Sequence, residues 1–155
     1  MFLVRGGGAD QNLLLLDQAT VYNANHLFGF ISTFNLEAIK HIELYKGGFP
    51  ARYGGRLSSV LDVKMKEGSS EGFHGEAGIG LITSRLTLEG PIYNKKASFV
   101  FSARRTYFDV VRRLIPLKGF DIKYYFYDLN GKVNWHINPK NSLYLSLYTG
   151  SDKLD

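Results

Sequence analysis

Residues 124–137 read "YYFYDLNGKVNWHI". Tyr125, Tyr127, Leu129, Gly131, Val133, Trp135 and Ile137 fall on one side of an extended chain, and Asp128, Asn130, Lys132, Asn134 and His136 fall on the other. One side is greasy and the other is wet. A strand in a soluble sandwich shows the same alternation but usually stops after about five or six residues, whereas a tilted membrane strand needs about nine to eleven. The length of this segment therefore favours a strand that crosses a bilayer.

The same rhythm fills the chain around it. Phe99, Phe101, Ala103 and Tyr107 alternate with Ser98, Val100, Ser102, Arg104 and Thr106; Leu86, Leu88, Gly90 and Ile92 alternate with Arg85, Thr87 and Glu89; Leu143, Leu145 and Leu147 continue the series. Strands are expected over 73–81, 84–92, 98–109, 123–137 and 142–150, although no strong turn dipeptide marks the break near Ile82 to Ser84. The connectors YNKKA (93–97) and NPKN (138–141) are short and polar, while 109–123 is longer. Short turns at one end and longer loops at the other are the asymmetry of an outer-membrane barrel, with Tyr and Trp near the strand ends as its aromatic girdles. Closure begins at about eight strands, so five make an incomplete barrel.

Residues 1–66 have a different texture, and an α+β segment is expected there. Phe2–Val4 and Leu13–Leu16 suggest short strands, with a turn at Asp17-Gln18 after which Val21 and Tyr22 extend the second. Asn35 precedes Leu36-Glu37-Ala38-Ile39 as an N-cap before one helical turn. Ile42–Tyr45 and Val60–Met65 bracket a glycine-rich loop carrying Lys46, Arg52 and Arg56.

Composition narrows the functional classes. The 155 residues carry a net charge of +5, but Lys and Arg are spread along the chain, which argues against nucleic acid as a partner. There is no Cys, so no disulfide framework and no thiolate site is available. The apolar run at 13–16 is bounded by Asn12 and Asp17, and nothing approaches the roughly 18 apolar residues of a membrane helix, a test that leaves membrane strands untouched. The N-terminus, MFLVRGGG, has no export-signal pattern, which fits either a protein that is not exported or an internal piece of a longer one. Ten Tyr, 11 Phe and 17 Gly suit antiparallel β-structure with tight turns.

Catalytic and metal patterns are weak. GGG at 6–8 is followed by no helix-period pattern and no G-K-[ST] ending, so it does not read as a phosphate loop. His26, His41, His74 and His136 are dispersed without ligand spacing, and Ser58-Ser59 sits in no nucleophile elbow. No cofactor, no metal and no enzymatic activity are expected. Gly47-Gly48 and Gly54-Gly55 are expected to permit positive φ and close backbone packing.

The stretch "AIKHIELYKGGFPARYGGRLSSVLDVKMK" (38–66) resembles the end of the plug domain of TonB-dependent outer-membrane receptors, in which an I-E-x-x-K-G turn leads through Tyr-Gly into a final strand. The matching positions are Ile42, Glu43, Lys46, Gly47, Tyr53, Gly54 and the strand Ser59–Val63, with Gly48 and Gly55 completing the turn. "FLVRGGGADQNLLLLDQATVY" (2–22) is similar to the preceding part of the same plug through Val4-Arg5-Gly6 and Leu16-Asp17. The usual K-G-P is Lys46-Gly47-Gly48 here, with Pro50 two residues on, and His41 stands where many relatives carry Arg. The resemblance implies the closing part of a plug over 1–68 and the first strands of an outer-membrane barrel over 69–155. It also implies outer-membrane lipid, a TonB-type energising protein whose binding segment is absent here, and a nutrient ligand such as an iron chelate, vitamin, glycan or peptide. Arg5, Glu43, Arg52 and Arg56 from the plug, with Glu76, Glu89 and Asp128 from the wet faces of the strands, become candidates for contacts between plug and barrel. Tyr22, Asn23, Asn25, His26 and Phe28, in the upward loop Tyr22 to Phe34 that contains "NANHLFGFISTF", become candidates for ligand contact, although core packing explains Phe28 as well. The alternative is a soluble β-rich module that binds glycan or nucleic acid and stays in solution without detergent.

Overall fold

The computed structural model describes residues 4, 8–22, 25–26, 31–56, 58–93, 95–107 and 124–154. It divides into two compact units, Met1–Lys66 and Glu67–Asp155.

The first unit is built on a four-stranded sheet. Its strands are β1 (Asn12–Leu16), β2 (Ala19–Thr20), β5 (Ile39–Tyr45) and β6 (Ser59–Met65), in the order β2-β1-β6-β5. β1 and β6 run parallel and the other pairs antiparallel, while β3 (Asn25–His26) and β4 (Ile31–Ser32) form a separate ladder. A parallel central pair is sheltered on both faces, which is why β1 is a continuous apolar run with Leu14, Leu15 and Leu16 buried and why Val60, Val63 and Met65 of β6 are buried beside it. The turn at Asp17-Gln18 places both residues at positive φ (47° and 71°). Asp17 offsets that strain with its own bonds: its N–H donates to Val63 O at 2.8 Å and its Oδ1 accepts from Met65 N at 3.1 Å.

The expected helix contracts to a single 3-10 turn. Asn35 caps it, its side chain accepting from Glu37 N at 3.4 Å, but the turn ends at Ala38 because Ile39 is already extended (φ −93°, ψ 134°) and enters β5. Three residues between a cap and a strand cannot recover the cost of nucleating an α-helix. Among the described residues the unit contains only this turn and one at Ala9–Gln11, so the α+β expectation for it is corrected to β with 3-10 turns. Val21 and Tyr22 lie beyond β2 and not in it, although Val21 N still donates to Leu14 O at 2.9 Å. Phe2 and Leu3 of the expected first strand lie outside the described residues.

In the β5–β6 loop Gly47, Gly48 and Gly55 have φ of 85°, 62° and 78°. Gly54 does not share this conformation, and a Cβ placed on Gly48, Gly54 or Gly55 would meet nothing within 4 Å. The glycines thus serve backbone direction; among the described residues no close packing is found at these three positions.

The second unit is an antiparallel meander of β7 (His74–Ile79), β8 (Thr83–Ile92), β9 (Ala97–Thr106), β10 (Tyr124–Asn138) and β11 (Asn141–Leu154), each strand paired with the next. The unmarked break is a tight turn closed by Gly80 N donating to Thr83 O at 2.8 Å, with Leu81 and Ile82 exposed at its tip. β10 spans 15 residues and β11 spans 14, beyond the usual soluble strand. Register carries the two faces across the whole sheet, with Val133 opposite Phe99 and Leu145, and Asn134 opposite Ser98 and Tyr144.

Burial on this sheet is inverted. Ser98, Ser102, Thr106, Asp128, Asn130, Lys132 and Asn134 are all buried, whereas Leu129, Val133, Trp135, Ile137, Leu143, Leu145 and Leu147 are exposed. Val133 is 42 % exposed and its neighbour Asn134 is 5 % exposed.

Candidate functional site

In the second unit the buried polar face is organised around Asp128. Arg104 lies directly opposite it on β9 and donates to Asp128 Oδ2 from Nε at 3.0 Å and from Nη2 at 2.5 Å. Tyr148 on β11 donates to Asp128 Oδ1 at 3.1 Å. The Arg104 guanidinium also lies 5.2 Å from the Phe126 ring centre. Asp128 is fully buried and Arg104 14 % exposed, so the carboxylate is satisfied by charge and by donors at both oxygens. Next to this group Lys132 Nζ sits 4.6 Å from the centre of the Tyr144 ring, and Thr87 shares a 3.1 Å hydrogen bond with Ser102.

In the first unit two chains of bonds cross one face of the sheet. Arg52 Nη2 donates to Tyr53 Oη at 2.9 Å, and Tyr53 Oη donates to Asp62 Oδ2 at 2.8 Å. Asp62 is buried, and its Oδ1 has no hydrogen-bond partner among the described residues. On β5, Tyr45 Oη donates to Glu43 Oε2 at 2.6 Å and the His41 ring nitrogen Nε2 lies 3.0 Å from Glu43 Oε1. Those bonds, the Tyr45 bond first, hold the Glu43 carboxyl below its ordinary value, and the same contact raises the Tyr45 phenol. The Tyr45 and Tyr53 rings are 5.4 Å apart and join the two chains. A cavity of about 400 Å³ opens here, lined by Leu13, Leu15, Gln18, Arg52, Tyr53 and Asp62 among others.

The residues singled out from sequence are distributed as follows. Arg5, Asn23 and Phe28 lie outside the described residues. Arg52 and Arg56 find partners in their own loop, Arg56 Nη1 donating to Gly55 O at 2.8 Å. Glu76 is 3.8 Å from Arg85 on the neighbouring strand, and Glu89 pairs in register with His74 and Val100. Tyr22 is 89 % exposed while His26 is 3 % exposed, so the two do not share one solvent-facing surface; Asn25 lies in β3, opposite Ser32. Lys46 is exposed beside the positive-φ glycines. Sequence reasoning missed Asp62, Arg104 and Tyr148. A signal existed for Asp62, an acid in the otherwise apolar "SVLDV" of a central strand; nothing in a single sequence pairs Arg104 or Tyr148 with Asp128.

Residues 1–59 match the family model of the TonB-dependent receptor plug domain. That stretch is similar to the plug of TonB-dependent receptors. The siderophore receptor PirA from Acinetobacter baumannii is a structural neighbour of this chain, with a TM-score of 0.65 and 18 % identity over 97 % of it. At that identity the likeness shows fold alone, and the chain spans only 25 % of that receptor's length. No curated protein sequence matches the chain.

Proposed function

We propose that residues 1–68 are the closing part of a plug and residues 69–155 the first strands of an outer-membrane barrel. The complete receptor would take up a nutrient of the iron-chelate, vitamin, glycan or peptide class, under force from a TonB-type energising protein. The reversed burial of β10 carries this reading, because a strand in water would hide Val133, Trp135 and Ile137 and expose Asn130, Lys132 and Asn134. Hydrocarbon outside the sheet and polar surroundings inside it make the observed arrangement the favourable one. Tyr22, standing in solvent, is the foremost candidate for ligand contact. We assign the chain no catalytic step.

The test is a pair of adjacent substitutions in the full-length receptor. Val133→Arg puts a charge on the face that would meet lipid, at a cost of about 2–4 kcal/mol near the bilayer midplane, whereas Asn134→Arg puts the same charge on the polar face. Val133→Arg is expected to reduce the heat-modifiable folded band in membranes much more than Asn134→Arg. Equal assembly of the two variants would overturn the barrel reading.

A further inference from the structure

The cavity of the first unit carries a charge order that the chain's own bonds leave incomplete. Leu13 and Leu15 of β1 and Asp62 and Lys64 of β6 line it from one face of the sheet, because Leu15 pairs in register with Asp62 and alternate residues of a strand share a face. Gln18 joins from the β1–β2 turn, and Arg52 and Tyr53 from the β5–β6 loop. Burial grades these residues by depth. Leu15 and Asp62 are buried, whereas Gln18, Arg52 and Lys64 are exposed. An acid therefore stands at the floor and two cations at the mouth.

Asp62 is the unfinished member. Its Oδ2 accepts from Tyr53 Oη at 2.8 Å, its Oδ1 has no hydrogen-bond partner, and no cation among the described residues forms an ion pair with it. At 3 % exposure the carboxylate keeps most of its acceptor capacity unused, and a buried charge is costly unless a cation and further donors meet it. Its cross-strand neighbour Glu43 supplies neither, being an acid whose two oxygens already engage Tyr45 and His41. Lys64 lies two residues further along the same face, about 7 Å along the strand, and is likewise in no ion pair among the described residues. Arg52 is braced at the mouth by its 2.9 Å bond to the Tyr53 phenol.

These two poles select a ligand. A plain amine would be drawn to Asp62 and repelled at the mouth, and a plain carboxylate would meet the reverse, whereas a small zwitterion answers both. Leu13 and Leu15 suit an aliphatic body, and the volume of about 400 Å³ falls in the range of about 300–1,000 Å³ typical of small-molecule sites. We infer that this cavity is a site for a small aliphatic amino acid, its ammonium bonded to Asp62 and its carboxylate held by Lys64 and Arg52. The inference stands on the first unit alone; it goes beyond the uptake reading and does not rest on the barrel.

The protein in micelles is titrated by calorimetry with L-leucine, with isocaproate, which lacks the ammonium, and with isoamylamine, which lacks the carboxylate. L-Leucine is expected to bind saturably and each analogue about tenfold more weakly. Asp62→Asn should lower the leucine affinity about tenfold and Lys64→Gln about threefold, while Lys46→Gln, in the β5–β6 loop but outside the lining, should leave it unchanged. Lys64 is exposed, so Lys64→Gln and the two analogues decide the matter even where Asp62→Asn fails to fold. Absence of a saturable leucine signal in the wild type, equal binding of the three compounds, an unchanged affinity in Lys64→Gln or an equal loss in Lys46→Gln would each overturn the site. Heat-modifiable mobility is followed in the same samples: a normal band without leucine binding sinks the amino acid site alone, and leucine binding by a protein without that band sinks the barrel reading alone.

Discussion

Replacing Gly68 by Ala tests how the start of the second unit is fastened to its sheet. Gly68 has φ of 80°, and a Cβ built on it would overlap the Phe99 carbonyl, with the carbonyl carbon at 2.5 Å. The obstacle is backbone within β9 and cannot rotate away. The preceding peptide is held as well, since Glu67 O accepts from Ser98 Oγ at 2.6 Å and from Asn134 Nδ2 at 2.7 Å. Left-handed backbone costs a residue with a Cβ about 1–2 kcal/mol, and forcing a methyl into filled space adds about 1–3 kcal/mol. Relief by moving the linker would give up two hydrogen bonds worth about 1 kcal/mol each. Gly68→Ala should therefore destabilise the region by about 2–5 kcal/mol. Gly90→Ala is the matched control: its Cβ would meet the Phe73 ring, but that side chain is 74 % exposed and can swing outward, so a loss of about 1 kcal/mol or less is expected. Amide hydrogen exchange across β9 and β10 of the protein in micelles reads both. A loss for Gly68→Ala no larger than for Gly90→Ala would refute the close approach of the linker to β9.

Two further outcomes are expected. Asp128→Ala removes the only anion bonded to Arg104 among the contacts described above and leaves a cation that is 14 % exposed, so it should cost about 3–5 kcal/mol in denaturant unfolding, against about 1 kcal/mol for Ser102→Ala on the same face; equal costs would show that the pair is a passive contact. On β5 the Glu43 carboxyl is held low by Tyr45 and then His41, so its contribution to stability is present above the ordinary glutamate value and is lost as pH falls through the lowered one. Tyr45→Phe should move the Glu43 titration back upward when followed by carboxyl-carbon resonance, and an unchanged titration would deny the Tyr45 bond.

The strands were legible because parity survives translation into structure. Along β10 every odd position from Tyr127 to Ile137 is Tyr, Leu, Gly, Val, Trp or Ile, and pairing with β9 and β11 extends that parity sideways without any further signal. The break at Gly80–Ile82 was hard to see for the converse reason: Leu81 and Ile82 are apolar, and their exposure at a turn tip contradicts what soluble proteins teach about turns. The helical turn was legible in its cap and illegible in its length. Asn35 announces a start, but the stop at Ala38 is imposed by Ile39 pairing with Met65, a contact 26 positions away (65 − 39).

Site residues were less legible because their partners are fixed by register. Asp128 stood out as an acid on a long wet face, yet only the alignment of β9 against β10 puts Arg104 opposite it, and only the β10–β11 hairpin brings Tyr148 within reach of its second oxygen. A shift of one residue between β9 and β10 would carry Arg104 to the exposed apolar side and turn Ala103 and Arg105 to the buried polar side, breaking the face that both strands share. That arrangement would part Arg104 from the carboxylate it now binds, at a cost of several kcal/mol. The Arg104–Asp128 pair therefore acts as a register lock: the apolar parity of β9 and β10 excludes odd slips, and a slip by two residues, which parity tolerates, would still set Asp128 opposite Ser102 or Thr106 and part it from its cation.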